Sequence, residues 1–209
     1  MERKEISKAV LKRLPGYLSY LKGLDMQNIS ATYIASALNM GEVQVRKDLA
    51  TVSDGGRPKI GYLRESLMED ISQFLGYDNT TDAILVGAGK LGQALLGYSG
   101  FDAYGLNILA AFDVAPVTDK TENGKPIMSM DKLESYCRSN KIRMGIIAVP
   151  ASCAQDVCNR LIDSGIKAIW NFAPTHLEVP DHILVQNENM ATSLAVLSMH
   201  LQAQMKEKK

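Results

Sequence analysis

Cysteine is scarce in this chain, with three residues in 209: Cys137, Cys153 and Cys158. The count is odd and the spacing fits neither a zinc site nor a disulfide framework, which argues against a small disulfide-stapled secreted scaffold. We read the three thiols as core or helix-surface residues of a protein in a reducing, cytoplasmic setting. No apolar run approaches the roughly 18 residues that a membrane-spanning helix needs. The N-terminal MERKEISKAV is charged and amphipathic and lacks the apolar centre of a signal peptide. Histidine is equally sparse. His176, His182 and His200 are scattered, and none has an acid, cysteine or serine at a spacing that builds a triad or a metal site. The sequence thus offers no catalytic constellation, and we expect no enzyme.

Net charge is absent too, since 23 Lys and Arg balance 23 Asp and Glu. The balance is not local. Residues 1–64 carry 11 basic against 6 acidic side chains, a net of +5, whereas residues 65–209 carry 12 against 17, a net of −5. A basic front joined to an acidic remainder implies two jobs, the first compatible with a polyanion. Hydrophobic residues make up 46% of the chain, enough for a real core.

What is present is organised around Asp82–Gly92, DAILVGAGKLG. Ile84, Leu85 and Val86 form an apolar run the length of a buried parallel strand. It leads into Gly87-Ala88-Gly89-Lys90-Leu91-Gly92, the G-x-G-x-x-G pattern, and then a helical QALLGY. The first glycine permits a tight turn, the second lets backbone approach a pyrophosphate, and the third lets helix and strand pack closely. Open N–H groups at the helix start then hold the anion. A second strand, Leu106–Phe112, ends in Asp113, at about the 20-residue offset where an acid accepts from a ribose 2′-OH and repels a 2′-phosphate. Val114 and Ala115 follow, with no arginine to welcome NADP. The pattern predicts a dinucleotide site for NADH or NAD+; a βαβ unit that binds CoA, or nothing, is the alternative.

In front of this unit, Ile6, Val10, Leu14, Tyr17, Leu18 and Leu21 recur at helical spacing, with Pro15 and Gly16 predicting a kink. Ser30 is a candidate N-cap for a short helix, Ala31–Leu38, that points Tyr33, Ile34, Ala37 and Leu38 inward. Asn39-Met40-Gly41 reads as a tight turn with Gly41 available for positive φ. A second helix, Glu42–Val52, buries Val43, Val45 and Leu49 and shows Gln44, Arg46, Lys47 and Thr51 outside. Helix, short turn and helix with basic and amide side chains near the start of the second is a helix-turn-helix layout. Gln44 is the right type for adenine, and Arg46 or Lys47 for guanine or phosphate. The following SDGGRPKIGY reads as a hairpin wing that lays Arg57 and Lys59 on DNA. Ser30 and Thr32 join the candidate DNA contacts. A three-helix bundle making protein contacts is the alternative. One further helix, within Arg64–Gly76, leads to a turn at Tyr77-Asp78-Asn79.

Beyond Asp113 the chain alternates. Asp119–Pro126 is a polar loop, Met130–Asn140 is helical and Met144–Val149 is a strand closed by Pro150. Ser152 and Gln155 form a capping-box pattern for a helix Cys153–Asp163, stopped by Gly165. Ala168–Trp170 is a further strand. Strand and helix in alternation predict an α/β fold with a doubly wound parallel sheet, whose ligands sit at the carboxyl ends of strands. Val149-Pro150 and Asn171-Phe172-Ala173-Pro174 lie at such ends. A last helix, Glu188–Met205, is apolar enough at Leu194, Leu197, Met199 and Leu201 to pack on another surface, such as another subunit.

Taken together, the chain resembles the Rex family of redox-sensing transcriptional repressors over nearly its whole length. The resemblance is carried by KRLPGYLSYL at Lys12–Leu21, QVRKDL at Gln44–Leu49 and IGY at Ile60–Tyr62. It continues through GAGKLGQAL, Tyr98, FDV at Phe112–Val114, AVP at Ala148–Pro150, SGIKAIWNFAP at Ser164–Pro174 and LEVP at Leu177–Pro180. It implies a winged helix-turn-helix domain over residues 1–80 that binds operator DNA and a Rossmann NAD(H)-binding domain over 81–186. It also implies a homodimer whose C-terminal helix, 187–209, is exchanged between subunits. By resemblance, Gly87 to Gly92 hold the pyrophosphate and Asp113 the adenosine ribose. Tyr98 and the turn of Asn171, Ala173 and Pro174 lie near the nicotinamide, and Val149 and Pro150 join the cofactor-binding residues. NADH closes the dimer and lifts the recognition helices off their half-sites, while NAD+ competes weakly. The sequence departs from the family pattern after the recognition helix, where Thr51, Val52 and Ser53 replace the usual Tyr-Phe-Gly, and in the wing at Asp54, Gly55 and Pro58. It departs again at Asn189 and Met190, where an acid that pairs with Arg13 and a phenylalanine are usual. These departures imply a changed operator or changed coupling.

Overall fold

Continuous apolar strands and amphipathic helices bury three hydrophobic clusters, one in the N-terminal helices and one on each face of a sheet. A computed structural model describes residues 7–116, 118–121 and 123–207. The chain divides between Thr80 and Thr81 into two units, with Ala103–Gly105 grouping with the first, where Tyr104 lies edge-on to Tyr77 at 5.2 Å.

The first unit opens with α1 (Lys8–Lys22), capped by the Ser7 hydroxyl. Ile6, the first residue of the predicted stripe, lies outside the described residues. Leu14, Tyr17, Leu18 and Leu21 are buried as the spacing predicts. The helix runs unbroken through Pro15 and Gly16; Leu11, four residues before the proline, is 40% exposed, so water can serve the carbonyl left without an amide donor. Strand β1 (Asn28–Ile29) precedes α2 (Ala31–Ala37) and α3 (Glu42–Val52); β2 (Tyr62–Leu63) pairs antiparallel with β1, and α4 (Arg64–Leu75) closes the unit on Gly76. Three details differ from expectation. Ala31, Ile34 and Ala35 face the core of α2, while Tyr33 and Ala37 are exposed. The left-handed residue of the turn is Asn39 (φ 52°), and Gly41 (φ −68°) is instead the N-cap of α3. Val43 is 63% exposed, and Asp48 is buried in the row expected for apolar residues.

The second unit is a six-stranded parallel sheet built from β3 (Thr81–Val86), β4 (Leu106–Asp113), β5 (Ile127–Ser129), β6 (Met144–Ile147), β7 (Ala168–Asn171) and β8 (Leu184–Asn187) in the order β5-β4-β3-β6-β7-β8. Successive strands leave β3 in opposite directions, so the switch point lies between β3 and β6. Ile84, Val86, Ala110, Phe112, Ile147 and Ile169 pack on α6 (Leu133–Ser139) and α7 (Ala151–Asp163), and Ala83, Leu85, Ile108, Ala111 and Ile146 face α5 (Lys90–Gly97). A register shift between Ala83 and Ile84 moves the pairing from Ile108 to Ala110 and keeps both faces of β4 apolar. Burial pushes the Cys137 thiol up to about 11 and raises that of Cys158 as well, which fits both as core residues.

The structure adds β5 and β8 and resolves Met130–Asn140 into a 3-10 turn followed by α6. It corrects the capping box. Helix α7 starts at Ala151 with Pro150 as N-cap and no side-chain cap, so Ser152 sits two residues past the capping position. Gln155 turns outward instead, donating to the Glu178 carbonyl and accepting from the Glu178 N–H, both at 2.9 Å. The last helix, α8 (Met190–Glu207), begins after Asn189, whose Oδ1 accepts from the Thr192 N–H at 3.1 Å. Among the described residues no helix is long and apolar enough to cross a membrane.

Candidate functional site: a glycine crevice and a basic helix-turn-helix

At the carboxyl end of β3 the chain turns on Gly87, at φ +103°. A Cβ there would stand 2.5 Å from the Ala148 carbonyl oxygen. A Cβ on Gly92 would stand 1.8 Å from the Gly87 carbonyl oxygen, so α5 can cross the turn only because this residue has no side chain. Helix α5 has Gly89 as N-cap and no side-chain cap, which leaves the amides of Lys90, Leu91 and Gly92 without an intrahelical partner. These amides, the cradle shape and the helix dipole suit a pyrophosphate.

Asp113, the last residue of β4, aims its carboxylate at this turn. Its Oδ2 accepts from the Ala88 N–H at 2.7 Å and its Oδ1 from the Ala115 N–H at 3.1 Å. A carboxylate has about four acceptor positions, so two remain for a ribose diol. The crevice encloses about 410 Å³, and Gly87, Gly89, Asp113, Val149 and Pro150, all expected from sequence, line it. Sequence reasoning missed its other wall, where Cys153, Asp156, Val157 and Arg160 recur along one face of α7. The available signal was helical spacing directly after the β6 terminus. A smaller cavity of about 290 Å³ is lined by Arg138, Lys141 and Arg143. Two of these cations are engaged locally, Arg143 on the Gly165 carbonyl at 3.0 Å and Arg138 on Glu134.

The nicotinamide candidates are placed differently. Asn171 is fully buried and its amide is saturated: it donates to the carbonyls of Ala173 and Thr175 and to Asn187 Oδ1, and accepts from the Ala173 N–H. It therefore shapes the Ala173-Pro174 turn. Tyr98 is 56% exposed and starts an aromatic row, edge-on to Phe101, which meets Trp170, which meets Phe172. The Trp170 indole donates to Glu188 at 2.9 Å.

In the first unit, the Ser30 hydroxyl caps α2 through the Tyr33 N–H at 3.1 Å, and Thr32 is exposed beside it. Gln44, Arg46 and Lys47 are exposed on α3, with Arg46 paired to Glu42 one turn earlier. The segment after α3 makes a tight hairpin, with Arg57 and Gly61 exchanging backbone hydrogen bonds at 2.8 and 2.9 Å, and Arg57 and Lys59 exposed on it. Beneath α3, Asp48 accepts from Arg13 Nε at 2.7 Å, Arg13 Nη2 at 2.9 Å and the Tyr17 hydroxyl at 2.7 Å. Burial, then the hydrogen bond to Asp48, push the Tyr17 phenol up to about 12, and Arg13 is raised by its own hydrogen bonding to Asp48. The Arg13 guanidinium thus binds α3.

Two family models match the chain, one described as a putative DNA-binding protein N-terminus over residues 5–50 and one as a CoA binding domain over 78–175. The redox-sensing transcriptional repressor Rex of Treponema denticola is 40% identical over 197 residues, covering 90% of this chain and 92% of that protein. The Rex of Clostridioides difficile is 39% identical over 199 residues, covering 93% and 95%. The chain belongs to the Rex family of redox-sensing transcriptional repressors. Solved structures of RSP, a Rex-family repressor, match nearly the whole chain. RSP in complex with β-NAD+ and operator DNA has 34% identity and a TM-score of 0.88, covering 98% of this chain and 96% of its own. RSP in complex with β-NADH has 34% identity and a TM-score of 0.87, covering 99% and 100%. The α/β fold expected from the sequence, a helical DNA-binding unit ahead of a parallel sheet, is thus that of Rex proteins.

Proposed function

We propose that this Rex protein represses transcription by holding operator DNA with its first unit and releases it when NADH fills the glycine crevice of the second. The observation that carries this is the pairing, in one chain of a Rex family member, of an exposed basic helix-turn-helix with a crevice whose two invading backbones fit only because Gly87 and Gly92 lack side chains. Solved relatives bind β-NADH, β-NAD+ and operator DNA. In this reading Lys90, Leu91 and Gly92 amides hold the pyrophosphate, Asp113 holds the ribose, and Ala88 keeps that carboxylate in place. Tyr98, Val149, Pro150 and the Asn171–Pro174 turn border the nicotinamide. Ser30, Thr32, Gln44, Arg46, Lys47, Arg57 and Lys59 face DNA. The second unit runs from residue 81 to about 186, and residues 187–209 form the exchanged helix of a homodimer. The chain acts in the cytoplasm and catalyses no reaction.

The mechanism is linkage. A ligand moves a two-state equilibrium only by its differential affinity for the two states. Shifting an operator-bound population from mostly bound to mostly free takes about 5.5 kcal/mol. Two NADH sites share it if each binds the DNA-free form about 100-fold more tightly.

One observation favours a second reading, the match to a CoA binding domain over residues 78–175. Titration with Trp170 as energy donor separates the two, because NADH absorbs where indole emits. Saturable transfer with NADH, weaker competition by NAD+ and operator release on NADH addition are the expected results. An equal response to CoA, with no release of a palindromic duplex by NADH, would refute the redox reading.

A further inference from the structure

Gln44 is the amide side chain at the exposed start of α3, the residue type that reads adenine by donating to N7 and accepting from N6–H. That two-way contact needs the oxygen as well as the NH2 turned toward the base, and in this structure the oxygen is turned onto Arg13. The Gln44 amide lies on Arg13, and because a guanidinium offers donors and no acceptor, the end that faces it is the oxygen. That oxygen stands 2.9 Å from Nη1, 3.0 Å from Nη2 and 3.2 Å from Nε. Near-equal distances to all three nitrogens place it over the guanidinium face, an ion–dipole contact, while the edge of the same guanidinium grips Asp48 through Nε and Nη2. Arg13 is itself fixed, since Asp48 is 3% exposed and also holds the Tyr17 hydroxyl. The charge that holds the Gln44 oxygen is thus anchored in the core of the unit.

We infer that Arg13 is a specificity-determining residue: by occupying the Gln44 carbonyl it leaves only the NH2 end to face a base, and turns an adenine reader into a guanine reader. Guanine shows two acceptors in the major groove, N7 and O6. Adenine shows one acceptor, and its N6–H donors would meet another donor. Cytosine shows a donor at N4 and is rejected outright. The inference rests on the DNA-binding reading above.

The test is selection by the full-length protein from a palindromic duplex library with randomised half-sites. The base pair facing Gln44 is the one whose preference disappears in Gln44→Met, a substitution of similar size that leaves Arg13 and Asp48 paired. At that pair the unaltered protein selects guanine over adenine by roughly tenfold, the scale of one good base contact. Gln44→Glu keeps an oxygen on Arg13 and replaces the outward donor by an acceptor, so its preference moves to cytosine. Arg13→Met frees the amide, and its preference moves to adenine; if this variant fails to fold because Asp48 loses its partner, Gln44→Glu decides alone. Adenine selected by the unaltered protein, an unchanged consensus in Gln44→Met, or guanine retained by Gln44→Glu overturns the inference and leaves DNA binding standing. No enrichment of any sequence by the unaltered protein overturns both.

Discussion

Asp48 and Tyr17 set a pH dependence that belongs to individual side chains. The Tyr17 hydroxyl, 1% exposed as a residue, donates to Asp48, and ionising it would place two negative oxygens 2.7 Å apart in the core. Its folded value is pushed up to about 12 by burial first and the Asp48 hydrogen bond second, against about 10 in an unfolded chain. Between those values the folded state keeps a proton that the unfolded state has lost, so stability is full below about pH 10 and falls as pH rises toward 12. Tyr62, Tyr77 and Tyr136 are raised by burial and add to the slope. Tyr17→Phe is therefore expected to lower stability at pH 8 by about 1 kcal/mol, the worth of one hydrogen bond, and to flatten the decline above pH 10. Urea midpoints measured at pH 8 and pH 11 check both; an unchanged slope in the variant would place the alkaline sensitivity elsewhere.

Elements were legible to the extent that their signal is local. The glycine turn, β3, β4, β6, β7 and α7 announced themselves because strand, turn and helix signals stand next to one another in sequence. Helix α2 has seven residues, barely two turns, so its stripe could be drawn through Tyr33 and Ala37 or through Ala31, Ile34 and Ala35, and packing against α3 chose the second. Strands β5 and β8 lie at the two sheet edges and are mostly exposed or half-buried, so neither carries the buried apolar run that marks β6 and β7. The Arg13–Asp48 pair spans 35 positions and has no sequence signature. The glycine turn also yields the clearest test at this scale. Gly92→Ala sets a methyl 1.8 Å from a backbone oxygen of Gly87, which cannot swing aside as a side-chain tip would. The expected outcome is α5 levered from the turn, about 1–3 kcal/mol of stability lost to overpacking, and NADH-dependent energy transfer from Trp170 reduced to background. A variant that stays as stable and binds NADH normally would show that helix and turn do not need this contact.

The proposed homodimer would bury the last helix. On α8, Leu194, Leu197 and Leu201 are 63, 65 and 56% exposed and continue to Met205 as one helical stripe. An apolar face of this kind on a terminal helix fits burial against a second copy. Leu197→Glu with Leu201→Glu is expected to halve the mass measured by light scattering; a dimer that persists would place the interface elsewhere. Coupling between ligand and operator is likewise a property of the assembly, and it must be reciprocal. If NADH weakens operator binding by a given factor, saturating operator must weaken NADH binding by the same factor, summed over both sites. Titrating NADH into the protein alone and into its operator complex, with Trp170 emission as the reporter, measures that factor from the second side. We expect a drop in NADH affinity near 100-fold per site for a switch that empties the operator. Asn189, whose Oδ1 is engaged by the Thr192 N–H at the start of α8, bears on the same number. Asn189→Asp keeps that cap and adds a charge; a larger reciprocal factor in this variant would place part of the coupling at the start of α8, and an unchanged factor would remove it from that position.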